Sequence, residues 1–255
     1  MSDSPAPAPR RLLVLAASGA FGGGMRDPGR ARLWPDLVRD SLAASVGEVE
    51  LTLRRFYVHG GDPSAVLERE LTRVQPDYIV LQCTSFPATQ RTVAHRVEHL
   101  LGKRAGDWTE ARVRVFDRNT RRRGRVRRRL NRISHRVARR VIGTAPIIGY
   151  GPLVEGYLRA IDRIAMVETA DVAVIGTGYA SKSARENNPE VDAIKARFDR
   201  EIAEAARRKH LGWVDSAAIT RESADPEATF LDQLHKGQEW HDGLAARIVA
   251  ALLRE

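Results

Sequence analysis

The sequence predicts an α/β fold: a doubly wound parallel sheet of about five strands, in the order 2-1-3-4-5, with helices on both faces. Three observations carry this. Short apolar runs alternate with stretches of helical periodicity, the pattern of strands joined by crossover helices. The apolar runs are nearly continuous, as expected of strands buried on both faces. At 255 residues and 43% hydrophobic content, the chain is long enough to bury one sizeable core.

Taken in order, Leu12–Ala17 reads as the first buried strand and Leu33–Val46 as a helix. Val49–Val58 alternates like a second strand, and Pro63–Val74 is a helix with proline in its first turn. Asp77–Cys83 is a third strand, Asp171–Gly176 a fourth and Trp213–Asp215 a short fifth. Charged helical residues from about Pro189 to Lys209 separate the last two, and Gly237–Leu253 closes the chain as a helix. The organisation is therefore a disordered Pro-rich tail over residues 1–10 and a single α/β domain over 11–255, carrying a helical basic insertion at about 86–150.

The formal charge of +10 is local. Arg118 to Arg140 contains twelve arginines and no acidic residue, so this segment contributes +12 and the remaining chain 10 − 12 = −2. Val126, Leu130, Ile133, Val137 and Val141 form an apolar stripe along it, as on a helix lying on the domain. Such a run of like charge favours an anionic partner: an acidic protein, a phosphate-bearing acyl donor or an anionic lipid surface. Nucleic acid is disfavoured, because the segment has no aromatic residues to stack on bases.

Cys83 is the only cysteine, which excludes an internal disulfide and fits a reducing, cytoplasmic location; it reads as a small buried hydrophobe closing the third strand. The apolar run after the twin arginine Arg10-Arg11 is shorter than a signal-peptide core, and no stretch reaches the length needed to cross a bilayer. His95 and His99 lie four apart without an evident third metal ligand. Ala17–Gly22 is at best a degenerate dinucleotide fingerprint, since the second strand ends in Tyr57-Val58-His59 without the acidic residue a ribose needs. No cofactor and no metal are expected.

The chemistry is concentrated in two places. Asp232-x-x-His235 opens the last helix; a carboxylate beside an imidazole accepts its Nδ1 proton and frees Nε2 to act as a base. Ser18 follows the first strand and precedes the glycine-rich Gly19–Gly24. In a doubly wound sheet, ligands bind outside the carboxyl ends of the strands where the order reverses, here between strands one and three. Ser18, Gly60-Gly61-Asp62 and Thr84-Ser85, which follow strands one, two and three, should face one crevice and supply a nucleophile with hydrogen-bond donors around it.

This order of blocks resembles the GDSL/SGNH hydrolases over roughly residues 11–85 and 171–250; His241 also falls where that family often has a Gly-His pair. The resemblance implies a flavodoxin-like fold and an esterase or thioesterase, or an acyltransferase, with Ser18, His235 and Asp232 as triad. It places Ser18, Gly61 and Ser85 around the oxyanion, and His59 and Thr84 as candidate substrate contacts. Two blocks depart from the family: Ala16-Ala17-Ser18 stands for Gly-Asp-Ser, and Cys83-Thr84-Ser85-Phe86 for Gly-x-Asn-Asp, which loses the asparagine amide that donates to the oxyanion. The rival reading is an inactive scaffold of the same fold whose arginine helix binds an anionic partner.

Overall fold

The computed structural model describes residues 8–21, 32–58, 62–110, 140–230 and 236–254. They fall into two compact units, one of residues 1–85 and 150–255 and one of Phe86–Gly149.

The larger unit is built on a five-stranded, all-parallel sheet. Its strands are β1 (Arg10–Ala16), β2 (Val49–Arg55), β3 (Tyr78–Gln82), β6 (Asp171–Ile175) and β7 (Gly212–Val214), in the order β2-β1-β3-β6-β7. This is the predicted 2-1-3-4-5 order, so the switch point lies between β1 and β3. β1 begins two residues earlier than its apolar run, because Arg10 donates its backbone N–H to Glu48 at 2.9 Å and pairs with Val49. β7 ends at Val214; Asp215, expected in the strand, instead caps the short helix α8 (Ser216–Arg221) by accepting from the N–H groups of Ala217 and Ala218.

The faces of the sheet follow from the period of two. Leu12, Val14, Tyr78, Val80, Ala173 and Ile175 point to one side, where α1 (Trp34–Val46) and α9 (Gln238–Leu253) cover them with Val38, Leu42, Leu244, Ile248 and Leu252. Leu13, Leu15, Ile79 and Leu81 are buried on the opposite side. That side belongs to α2 (Ser64–Val74), α5 (Tyr150–Ala165) and α7 (Val191–Arg208), whose buried residues include Leu67, Leu153, Tyr157, Phe198 and Ile202. Each fully buried leucine contributes on the order of 2 kcal/mol of apolar transfer.

Two local details position the strand ends. Helix α2 starts at Ser64, one residue after the proline expected within it, because Asp62 accepts from both the backbone N–H and the hydroxyl of Ser64 at 3.0 and 2.6 Å. Gly156 lets α5 approach the end of β2: a Cβ there would lie 2.3 Å from Val58 Cγ1. The charged helical stretch expected from about Pro189 to Lys209 is α7 to within two residues at either end; a separate short helix, α6 (Lys182–Asn187), precedes it, and Asn188 turns the chain between them.

The Phe86–Gly149 unit contains α3 (Phe86–Thr89), α4 (Val93–Leu101), helical residues 103–110 and an antiparallel pair, β4 (Arg91–Thr92) with β5 (Ala145–Pro146). Thr92 caps α4 by accepting the N–H of His95 at 3.1 Å. The arginine-rich segment expected to form a helix lies outside the described residues except for Arg140. No helix among the described residues is long and apolar enough to cross a membrane.

Candidate active site

Ser18 stands at the head of a short 3-10 turn, Ser18–Phe21, directly at the carboxyl end of β1. The residues before it are buried, Ser18 and Gly19 are exposed, and Ala20 tucks back into the core, closing the turn with its N–H on the Ala17 carbonyl at 3.1 Å. The first N–H groups of such a turn have no acceptor within the turn itself and point away from the strand. From the neighbouring β3, Gln82 reaches across and accepts the Ala17 N–H on its Oε1 at 3.0 Å. The turn is thus fixed on both sides, and the Ser18 hydroxyl has no partner among the described residues.

The third turn is organised differently from the expectation. Thr84 is half-buried, and its backbone N–H donates to the Tyr157 hydroxyl of α5 at 3.2 Å. Ser85, expected to donate to the oxyanion, is 0% exposed, so its hydroxyl is enclosed by the protein. Burial raises the Cys83 thiol well above its usual range, with Asp199 adding to the effect, so Cys83 is a core residue and no thiolate. Tyr157 is likewise buried, and its phenol is held far above ordinary titration.

A second cluster surrounds the carboxyl ends of β6 and β7. Asp199 accepts the Thr177 backbone N–H at 2.7 Å and its hydroxyl at 2.9 Å. Burial lifts its carboxyl to about 6 in spite of those two bonds. Lys195 donates to the Gly178 carbonyl, and burial lowers its ammonium to about 8. Lys236 is 8% exposed; its Nζ donates to the hydroxyls of Thr220 and Thr229 at 2.9 and 3.0 Å and lies 3.1 Å from the centre of the Phe230 ring. Burial, then the charge of Lys195, lowers Lys236 to about 7.

Asp232, His235, Gly61 and His59 lie outside the described residues. The flanks of the Asp232-x-x-His235 block are described. Phe230 and Lys236 form an antiparallel bridge, and Gly237 donates to the Thr229 carbonyl at 2.9 Å. Just beyond, Gln238 donates to the Arg32 carbonyl at 2.9 Å, and His241 Nδ1 accepts the Trp34 N–H at 3.4 Å. The first turn of α9 is therefore tied to the start of α1, the helix that leaves the carboxyl edge bearing Ser18. His241 is itself 3% exposed, and burial lowers its imidazole to about 4; it is a neutral cap and not a titrating base. Among the described residues no group of His, Cys, Asp and Glu is arranged to hold a metal ion.

Gln82, Tyr157 and Lys236 organise this edge without having been expected to. Only Gln82 carried a signal, as a polar residue ending the otherwise apolar run Tyr78–Leu81.

Solved structures of other proteins share this architecture. The acetyl-xylooligosaccharide esterase Axe2 of Geobacillus stearothermophilus superposes with a TM-score of 0.54 at 12% identity, over 95% of this chain and 94% of its own. A putative GDSL-like lipase from Parabacteroides merdae gives 0.55 at 9% identity, over 96% of both chains. The chain has the GDSL/SGNH hydrolase fold. TesA superposes with a TM-score of 0.52 at 12% identity, over 95% of this chain and 98% of its own. The Axe2 structures include catalytic mutants in which a serine or a histidine is replaced by alanine. No protein-family model and no curated protein sequence matches this chain.

Proposed function

We propose that this protein is a serine-dependent ester or thioester hydrolase, with Ser18 as nucleophile, His235 as general base and Asp232 as the carboxylate that orients the imidazole. The observation that carries the reading is Ser18 itself: an exposed serine on a fixed turn at the switch point between β1 and β3 of a GDSL/SGNH fold. Two further features support it. The Asp232-x-x-His235 block is bracketed by residues tied to the same edge of the sheet. Serine and histidine are also the residue types that the catalytic mutants of Axe2 remove.

In this mechanism the Ser18 Oγ attacks the acyl carbonyl while His235 takes its proton. The tetrahedral oxyanion is met by the N–H groups of Ser18 and Gly61. Collapse expels the alcohol or thiol, which receives the proton from His235, and leaves an acyl-serine. Water, activated by the same imidazole, then releases the acid; an alcohol or amine in its place makes the reaction an acyl transfer. The half-buried Thr84, together with His59, flanks the substrate in this reading. The basic segment from Arg118 to Arg140 is proposed to favour carrier-linked or otherwise anionic acyl donors.

Labelling with a fluorophosphonate tests the proposal. The adduct is expected on Ser18, and it should disappear in Ser18→Ala and fall at least about 100-fold in rate in His235→Ala. Absence of an adduct under conditions where a known serine hydrolase reacts would refute the hydrolase reading and leave the inactive, anion-binding scaffold.

A further inference from the structure

The third turn of this chain lacks the asparagine whose side-chain amide would meet the oxyanion, and neither the Thr84 N–H nor the Ser85 hydroxyl takes its place. The Thr84 N–H is engaged by the Tyr157 hydroxyl, and the Ser85 hydroxyl is buried. Two residues before Thr84, Gln82 ends β3 with a partly exposed side chain. Its Oε1 accepts the Ala17 N–H, and only the carbonyl end of an amide can accept, so the orientation of the group is settled: Nε2 is the end left over. Among the described residues Nε2 meets no acceptor. Among the described residues both of its N–H groups are thus uncommitted, beside the residue preceding Ser18 and on the strand that borders β1 at the switch point.

We infer that the side-chain amide of Gln82 is the missing oxyanion donor. The inference rests on the hydrolase reading above and adds a catalytic residue to it. Its logic is one of position and chemical type. An amide N–H held in place by its own carbonyl does not need to reorganise as negative charge builds on the substrate oxygen, which is the property that makes a preorganised donor effective. The same bond that fixes the donor also fixes the turn carrying the nucleophile, so Gln82 couples the geometry of Ser18 to that of the oxyanion site. Relative to the family pattern, the donor has moved from the loop after β3 to the last residue of the strand, and the longer glutamine side chain makes up the reach.

Two substitutions separate this role from mere support of the turn. Gln82→Glu keeps an acceptor for the Ala17 N–H and the length of the side chain, but replaces the donor by a carboxylate oxygen. Gln82→Met removes both functions. Each is assayed for hydrolysis of p-nitrophenyl acetate and for inhibition by a boronic acid that mimics the tetrahedral intermediate, with unfolding followed in parallel. The expected result is a fall of about 10²-fold in kcat for both variants, with KM within about threefold. Boronate affinity should weaken in parallel, and the unfolding midpoint of Gln82→Glu should stay at the wild-type value. If Gln82→Glu turns over within about threefold of wild type while Gln82→Met does not, Gln82 only supports the turn and the inference is wrong. A Ser18→Ala variant that hydrolyses the ester as well as the wild type would instead overturn the hydrolase reading, and this assignment with it.

Discussion

His241 shows how a residue in the family's last block can serve the fold. It falls where the family often has a Gly-His pair, and its Nδ1 accepts the first N–H of α1 from Trp34, beneath the helix pair that covers one face of the sheet. That role requires the neutral imidazole: a proton on Nδ1 would turn the acceptor into a donor facing a donor. Burial lowers the group to about 4 from 6.5, so between those two values the unfolded chain binds more protons than the folded one. Stability is therefore complete above pH 6.5 and declines as the pH falls toward 4, by on the order of 2 to 3 kcal/mol. Urea unfolding at pH 7 and pH 4.5 should show this loss, and His241→Gln, whose side-chain oxygen can still accept, should flatten it. An equal pH slope in the variant would show that other groups carry the acid sensitivity. The sequence could not reveal this, because the partner is 207 residues away and contributes only a backbone N–H.

At the level of elements, strands were more legible than the connections that carry the site. Four of the strands follow apolar runs to within two residues at either end, because burial on both faces demands uninterrupted apolar character, whereas the alternating β2 stops at Arg55, three residues short of the expected Val58. Helix starts were set instead by side chains that bond forward, such as Asp62 onto Ser64 and the cap Asp215 onto Ala217, which shift the boundary by a residue or two. The link between α8 and α9 was opaque for a further reason: its bridge between Phe230 and Lys236 depends on a buried ammonium. Lysine in a charged sequence reads as surface, and nothing in its neighbours announces Thr220, Thr229 and the Phe230 ring as its surroundings. That burial has a measurable consequence. Lys236 sits at about 7 in the fold and near 10.5 when unfolded, so in this window the folded chain binds fewer protons, and the contribution of Lys236 to stability rises with pH. Lys236→Met removes this slope while keeping the length of the side chain. Thermal unfolding at pH 7 and pH 9.5 is expected to show a smaller pH difference in the variant than in wild type; an unchanged difference would place the ammonium in water.

For the whole molecule, the separation of charge from fold governs how solution conditions act on function. The sheet and its helices form a unit with many exposed ion pairs, as in Arg221 with Asp215, Arg185 with Asp192 and Arg247 with Glu222. The net positive charge resides in one contiguous segment, +12 between Arg118 and Arg140 against −2 for everything else. Exposed pairs of this kind contribute little individually, about 0 to 1 kcal/mol, and salt weakens them without disturbing the core. Added salt should therefore leave the architecture at the strand ends intact, and with it the positions of Ser18 and Gln82. The hydrolysis of a neutral ester, which no long-range field steers, is expected to change less than about twofold in kcat/KM between roughly 0.02 and 0.5 M NaCl. An ester bearing a phosphate or several carboxylates would feel the arginine segment during encounter, and its kcat/KM should fall several-fold over the same range, through KM more than through kcat. Replacing Arg121, Arg122, Arg123, Arg127, Arg128 and Arg129 with glutamine should abolish that salt dependence while leaving the neutral ester unaffected. If both esters respond alike, the segment plays no part in substrate capture, because a local field can distinguish the two only by the charge they carry.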